Sequence, residues 1–415
     1  MTTATGTAMT TVISGVQSTS SSGATGQTFT LTTGTDYADA AGSTRFNGTI
    51  ADTFKFSGAN DVVNATAATF NNTDVLADSS ALDSDALNVT LGAAGVVLGS
   101  SVTGIENLLL TTSASNAGGN ITWGTLSGLK TVTVTGAGTG VLDLTNTSTA
   151  SGVAAVNSVD ASGLTSTAGI TFNASGRTGA SATQDITVKT GGTGASTITT
   201  ASGADNVTGA AGVDNVVTGA GNDTVNAGGG NDVVSGGVGD DVLNGEAGDD
   251  QLNGNSGNDT IDGGAGNDVI LGNAGLDKLT GGEGADTFRF TEAADGNLKT
   301  ITDFSVAQGD VLSFGRAALG LVGAVAGNDF AAGAGVVVNA AGANGTQNQI
   351  IVDTAANIAT LNNSTNVVQG IAIETDTGRV LFDADSNFTS GVVVIGTIAP
   401  AQAALIAAAN LTIVA

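Results

Sequence analysis

A nine-residue period, held in one register from Thr200 to Arg289, constrains this chain more than any other feature. Each of its ten units carries an aspartate at the sixth position: Asp205, Asp214, Asp223, Asp232, Asp241, Asp250, Asp259, Asp268, Asp277 and Asp286. Two residues before each stands a glycine (Gly203, Gly212, Gly221, Gly230, Gly239, Gly248, Gly257, Gly266, Gly275, Gly284). Two residues after each stands an apolar side chain: Val207, Val216, Val225, Val234, Leu243, Leu252, Ile261, Ile270, Leu279 and Phe288. Composition alone does not align three columns in this way.

The spacing has a direct physical reading. Glycine admits positive φ and close backbone approach, so the first six residues of a unit form a tight turn with carbonyls pointing inward. An aspartate at the end of that turn adds a carboxylate, and carboxylate and carbonyl oxygens are the ligands of a hard cation such as Ca²⁺. The last three residues then form a short strand that sends one apolar side chain into a narrow core. Two units make one coil, so a metal site forms between a turn and its equivalent one coil on. Ten units frame roughly eight interior sites in about five coils, ~24 Å long at ~4.8 Å between strands. The expected ligands are the ten aspartates with the carbonyls of Gly221, Gly230, Gly239, Gly248, Gly257, Gly266 and Gly284.

The repeat resembles the RTX nonapeptide, Gly-Gly-x-Gly-x-Asp-x-U-x with U a large apolar residue, which implies a calcium-binding parallel β-roll. The segments 236–244 (Gly-Gly-Val-Gly-Asp-Asp-Val-Leu-Asn) and 263–271 (Gly-Gly-Ala-Gly-Asn-Asp-Val-Ile-Leu) fit it best. Thr200-Ala201, Gly209-Ala210 and Gly272-Asn273 lack the full opening pair, and Glu246 and Asn255 replace the second glycine, so weaker sites are expected there. After the roll, Ile301-Thr302-Asp303-Phe304 and Gln308-Gly309-Asp310-Val311 are similar to the segment that closes it in secreted RTX proteins. Further on, Leu381-Phe382-Asp383-Ala384-Asp385-Ser386-Asn387 resembles an element of the same terminal module. There Asp383 and Asp385 could hold one more calcium or simply shape a polar hairpin turn; an EF-hand is excluded, because the following glycine and distant glutamate are missing.

Charge and composition narrow the function. The chain has neither cysteine nor histidine, so disulfides and thiolate or imidazole metal sites are excluded, together with imidazole-assisted nucleophiles and histidine-ligated zinc proteases. A formal charge of −27 argues against nucleic acid or an anionic membrane as partner. It also opposes compaction, and about eight Ca²⁺ would cancel roughly 16 charges, so metal binding and folding should be coupled. With one tryptophan, Trp123, and one tyrosine, Tyr37, a saccharide cleft served by paired carboxylates is not expected. The protein is read as a non-enzyme.

The rest of the chain divides by texture into an all-β architecture. Residues 1–30 form a Thr/Ser/Gly-rich arm, and 31–112 an N-terminal β region with degenerate copies of the repeat, such as Gly58-Ala59-Asn60-Asp61-Val62-Val63. Short alternating runs in 113–199, among them Thr131-Val132-Thr133-Val134-Thr135, suggest a parallel β-solenoid feeding its coils into the roll, with a β-sandwich as the alternative for that segment. The roll occupies 200–289, a β cap module 290–398, and an alanine-rich apolar tail 399–415.

The N-terminus lacks the basic and apolar regions of a cleaved secretory signal, and no window approaches the ~20 apolar residues of a membrane helix. The tail looks like the uncleaved signal that RTX proteins present to type I secretion machinery; a helix or strand capping the fold is the other reading. The run Val102-Thr103-Gly104-Ile105-Glu106-Asn107, with its Ile-Glu-Asn step, looks like segments that flank RTX tracts in bacterial surface-layer proteins. That resemblance and these features imply an extracellular, calcium-dependent structural protein that assembles with itself into a lattice, sheet or fibre. An adhesin or biofilm-matrix protein that binds an external surface or a cell-surface polysaccharide is the alternative.

Overall fold

The computed structural model describes residues 60–66, 84–91, 102–113, 128–144, 156–165, 167–177, 184–291, 298–315, 367–383, 392–406 and 410–414, with shorter strands at 11–12, 16–19, 28–31, 37–39, 75–77, 97–98, 119–120, 122–123, 336–341 and 347–353. Within these residues the chain is almost wholly strand, with one short helix, Pro400–Ala403. It divides into two compact units, Met1–Asn215 and Val216–Ala415.

In the first unit a single ladder of parallel strands begins at Thr28–Leu31. It continues through Val62–Thr66, Ala86–Thr90, Asn107–Thr112, Thr131–Gly136, Ser158–Leu164 and Thr187–Lys189 to Asn206–Thr208. A second parallel ladder runs from Gly119–Asn120 through Leu142–Asp143 and Ile170–Asn173 to Thr197–Thr199. A sandwich would pair such strands antiparallel; these pairings are parallel, as a solenoid requires. Strict alternation of sequence sets the faces: Leu87 and Val89, Leu108 and Leu110, and Val132 and Val134 all point inward and are buried. The residue offset per coil is 24 between Asp61 and Asp85, 21 between Asp85 and Glu106, and 18 between Ser196 and Asp214.

In the second unit the coil is uniform. One sheet stacks Thr224–Gly229, Val242–Ala247, Thr260–Ala265 and Lys278–Glu283, all parallel. The other stacks Val233–Val238, Gln251–Ser256, Val269–Ala274 and Thr287–Phe290. Alternate nonapeptides thus supply alternate faces, and each strand contributes one apolar residue of the sequence column to the core. Val225, Val234, Leu243, Leu252, Ile261, Ile270, Leu279 and Phe288 are all buried.

Beyond Phe288 the core widens and turns aromatic. Phe288 packs beside Phe304 at 6.1 Å between ring centroids, and Phe290 stacks on Phe314 at 5.3 Å. Asp303, between Thr302 and Phe304, accepts the backbone N–H groups of Gly281 (2.9 Å) and Gly282 (2.8 Å), tying the closing segment to the last turn. The first sheet then continues through Lys299–Ile301 to Val393–Thr397, which pairs antiparallel with Arg379–Asp383. The second continues through Val311–Gly315 to Leu411–Val414. The apolar tail therefore supplies the last described strand of that sheet.

Candidate metal centre

The turn between strands is dictated by its glycines. At the fourth position, Gly212 excepted, φ lies between +117° at Gly230 and +147° at Gly275, a region in which side chains are strained. There is also no space: a Cβ on Gly257 would stand 1.9 Å from the Gly239 carbonyl oxygen, and one on Gly266 2.0 Å from that of Gly248. Glycine in this column lets each turn close on the carbonyl of the turn before it. From Gly219 on the second position is left-handed as well, and here Glu246 (φ 71°), Asn255 (φ 74°) and Asn273 (φ 60°) keep the conformation without glycine. Asparagine tolerates it well, while glutamate is strained by about 1 kcal/mol.

All ten column aspartates are buried. From Asp241 to Asp286, each column Oδ1 accepts the backbone N–H of the aspartate one coil earlier. Asp223 donates to Asp241 (2.8 Å), Asp241 to Asp259 (2.9 Å) and Asp259 to Asp277 (3.0 Å). On the other face Asp232 donates to Asp250 (2.7 Å), Asp250 to Asp268 (2.8 Å) and Asp268 to Asp286 (3.0 Å). The second oxygen turns into the concavity of its own unit. It lies where a Cβ would be on the first-position glycine: 2.2 Å from that point for Asp241 against Gly236, and 2.0 Å for Asp259 against Gly254. In Asp241, Asp250, Asp259, Asp268 and Asp286 this Oδ2 is buried without a hydrogen-bond partner.

The electrostatic consequence is large. Burial, with neighbouring carboxylates adding to it, pushes Asp259 up to about 7 and Asp241, Asp268 and Asp286 up to about 6; it raises Asp250 and Asp214 as well. One buried aliphatic side chain per unit contributes about 1.5–3 kcal/mol, whereas an uncompensated buried carboxylate costs several. Such a column asks for a cation. Among the described residues no three carboxylates converge, so a bound ion would draw most of its ligands from turn carbonyls, with one carboxylate oxygen per unit. Oxygen-only donors of this kind suit Ca²⁺.

Several participants escape the nine-residue pattern. Asp310 accepts the N–H of Asp286 (3.1 Å) across an offset of 24 residues and so extends the column by one rung. In the first unit Asp61 donates its N–H to Asp85 Oδ1 (2.7 Å) and Asp85 donates to Glu106 Oε2 (2.9 Å), the same capping bond on a longer coil. The fifth position of the nonapeptide carries a second ladder running the other way. Asn222 Oδ1 accepts from Asp240 N–H (3.0 Å), Asp240 from Asn258 (2.7 Å) and Asn258 from Leu276 (2.9 Å). Asn/Asp enrichment just before the aspartate column was the available signal for it. Asp205 and Asp214 lie in the first unit, where their Oδ1 atoms accept from Ile186 (2.7 Å) and Ser196 (2.8 Å). Asp385 and the side chain of Asp383 fall outside the described residues.

Four copies of the RTX calcium-binding nonapeptide repeat match the chain, at residues 190–225, 217–252, 226–261 and 253–288. Comparison with curated proteins and with solved structures returned no match. Repeats of this kind bind calcium and are characteristic of secreted proteins. Buried aspartates at every ninth residue, turns with glycine at the fourth position and parallel stacked strands agree with that match, and residues 190–288 are an array of RTX calcium-binding repeats.

Proposed function

We propose that the column aspartates and the fourth-position glycine carbonyls bind a series of calcium ions, roughly eight, whose arrival folds the roll. The protein so folded is an extracellular structural subunit that assembles with copies of itself into a surface layer, sheet or fibre. One observation carries this reading: in each unit most of the described strands are rungs of a parallel stack. Stacks of this kind end in strands whose outer edges can accept another chain. Type I export through the apolar tail, and attachment to a cell-surface polysaccharide, belong to the same reading.

Purified protein should form ordered assemblies in millimolar Ca²⁺, lose them in excess chelator and regain them when Ca²⁺ returns, as seen by electron microscopy and analytical ultracentrifugation. Assemblies that survive chelation would sink the calcium scaffold. A protein that stays monomeric at high concentration in Ca²⁺, yet binds a glycan or an abiotic surface, would favour the adhesin.

A further inference from the structure

The aspartate series on one face of the roll ends on a basic side chain. Strand Lys278–Glu283 pairs in parallel with Lys299–Ile301, Lys278 opposite Thr300 and Leu279 opposite Ile301. That register sets Lys299 opposite Asp277, in the place where the next aspartate of Asp223, Asp241, Asp259 and Asp277 would stand. Lys299 Nζ lies 3.5 Å from Asp277 Oδ2 and 3.4 Å from the carbonyl oxygen of Gly275, with only 10% of its side chain exposed. A carboxylate oxygen and a turn carbonyl, the donors proposed for calcium in the earlier coils, here meet an ammonium.

The other face ends differently. There Thr287 is opposite Val311, which sets Asp310 opposite Asp286. Asp310 Oδ1 accepts the Asp286 N–H (3.1 Å) and its Oδ2 accepts the Ser305 N–H (2.6 Å), so neutral backbone donors finish that series. The chain has only ten basic residues, and a second one meets the column in the first unit. Burial lowers the Arg177 pKa, the nearby Asp205 charge partly offsets that, and the guanidinium donates to the Val156 carbonyl oxygen. Burying a lysine costs desolvation of its ammonium, which an otherwise uncompensated buried carboxylate such as Asp277 offsets.

We propose that Lys299 is a tethered cation that takes the place of the terminal calcium ion on its face of the roll and so fixes where the metal series stops. This rests on the reading of the column aspartates as calcium ligands. In consequence the last coil on that face is closed without metal and holds the roll to its cap at calcium levels that leave the interior sites empty.

The test is the calcium count of the full-length chain, by equilibrium dialysis with ⁴⁵Ca²⁺, for the wild type, Lys299→Met, Lys299→Asp and Lys299→Arg, with Asp241→Asn as reference. The expected result is one ion more than wild type for Lys299→Met and Lys299→Asp, an unchanged count for Lys299→Arg, and a lower count for Asp241→Asn. In chelator, the melting temperature of Lys299→Met should fall well below that of the wild type, and saturating Ca²⁺ should close most of the gap. Unchanged counts for both Met and Asp variants, alongside a reduced count for Asp241→Asn, overturn the tethered cation alone. An unchanged count for Asp241→Asn overturns the ligand assignment beneath it. A Lys299→Met chain that stays unfolded in saturating Ca²⁺ while Lys299→Arg folds also overturns the proposal, because calcium could not then replace the ammonium.

Discussion

Asp241, Asp250, Asp259, Asp268 and Asp286 each divide their two oxygens between two tasks: Oδ1 ties adjacent coils together, and Oδ2 faces inward as a candidate ligand. Metal-free, this arrangement has a definite pH signature. The folded-state values near 6 for Asp241, Asp268 and Asp286 and near 7 for Asp259 stand above the ordinary aspartate value, so the metal-free folded roll binds more protons than the unfolded chain. Stability from this source is fully present below about pH 4 and is lost as pH rises through 6 to 7. In chelator, therefore, the melting temperature should rise on acidification from pH 7.5 to 5; in saturating Ca²⁺ it should fall over the same range, because protons then compete with metal. Thermal melts followed by circular dichroism at the four corners of that grid check it, and a metal-free roll indifferent to pH would mean that the column is solvated. The aspartates were legible in the sequence because the turn that places them is local and repeats. Lys299 and Asp310 were not, since the rungs they occupy come 22 and 24 residues after Asp277 and Asp286 rather than 18.

The turn is the element that makes the coil, and its fourth-position glycine is the least replaceable part. Gly257 combines φ of +131° with a missing Cβ that would meet the Gly239 carbonyl oxygen at 1.9 Å. Gly257→Ala should cost about 3 kcal/mol, the sum of backbone strain and overpacking. Gly176→Ala, at an exposed turn with nothing within 4 Å, should change stability by less than about 0.5 kcal/mol. Denaturant melts of both variants in Ca²⁺ decide the matter, and similar losses would mean that the turns relax. The roll's coil could be read from sequence because turn and strand share one fixed length. Upstream, offsets of 24 and 21 residues change from coil to coil, so the alternation of Leu87, Val89 and Leu91 revealed strands without revealing which strands pair. The capping bonds from Asp61 to Asp85 and from Asp85 to Glu106 stayed hidden for the same reason.

For the molecule as a whole, the tail bears on two processes that one deletion would confuse. Leu411–Val414 pairs in parallel with Val311–Gly315, Leu411 is buried, and Asn410 Nδ2 donates to the Asp310 carbonyl oxygen at 2.9 Å. Leu411→Asp should destabilise the C-terminal unit by about 3 kcal/mol, since it buries an unpaired charge in place of an aliphatic group. If the tail is also an export address, deletion of residues 400–415 should hold the protein in the cell while Leu411→Asp still exports; equal export of both would leave the tail as a cap alone. The sequence presented it as either signal or cap, and the strand pairing establishes the second without bearing on the first.

Because equivalent turns lie 18 residues apart and successive nonapeptides alternate between two sheets, the roll can change length only in pairs of units. Adding or removing eighteen residues leaves each face ending as it does now. A change of nine would swap the ends, carrying Lys299 to the face that Asp310 finishes and Asp310 to the face that Lys299 finishes. Both terminations would then meet strands they were not built for. Duplications and losses in this array should therefore be even in number, a parity rule imposed by two unlike ends on an otherwise interchangeable series.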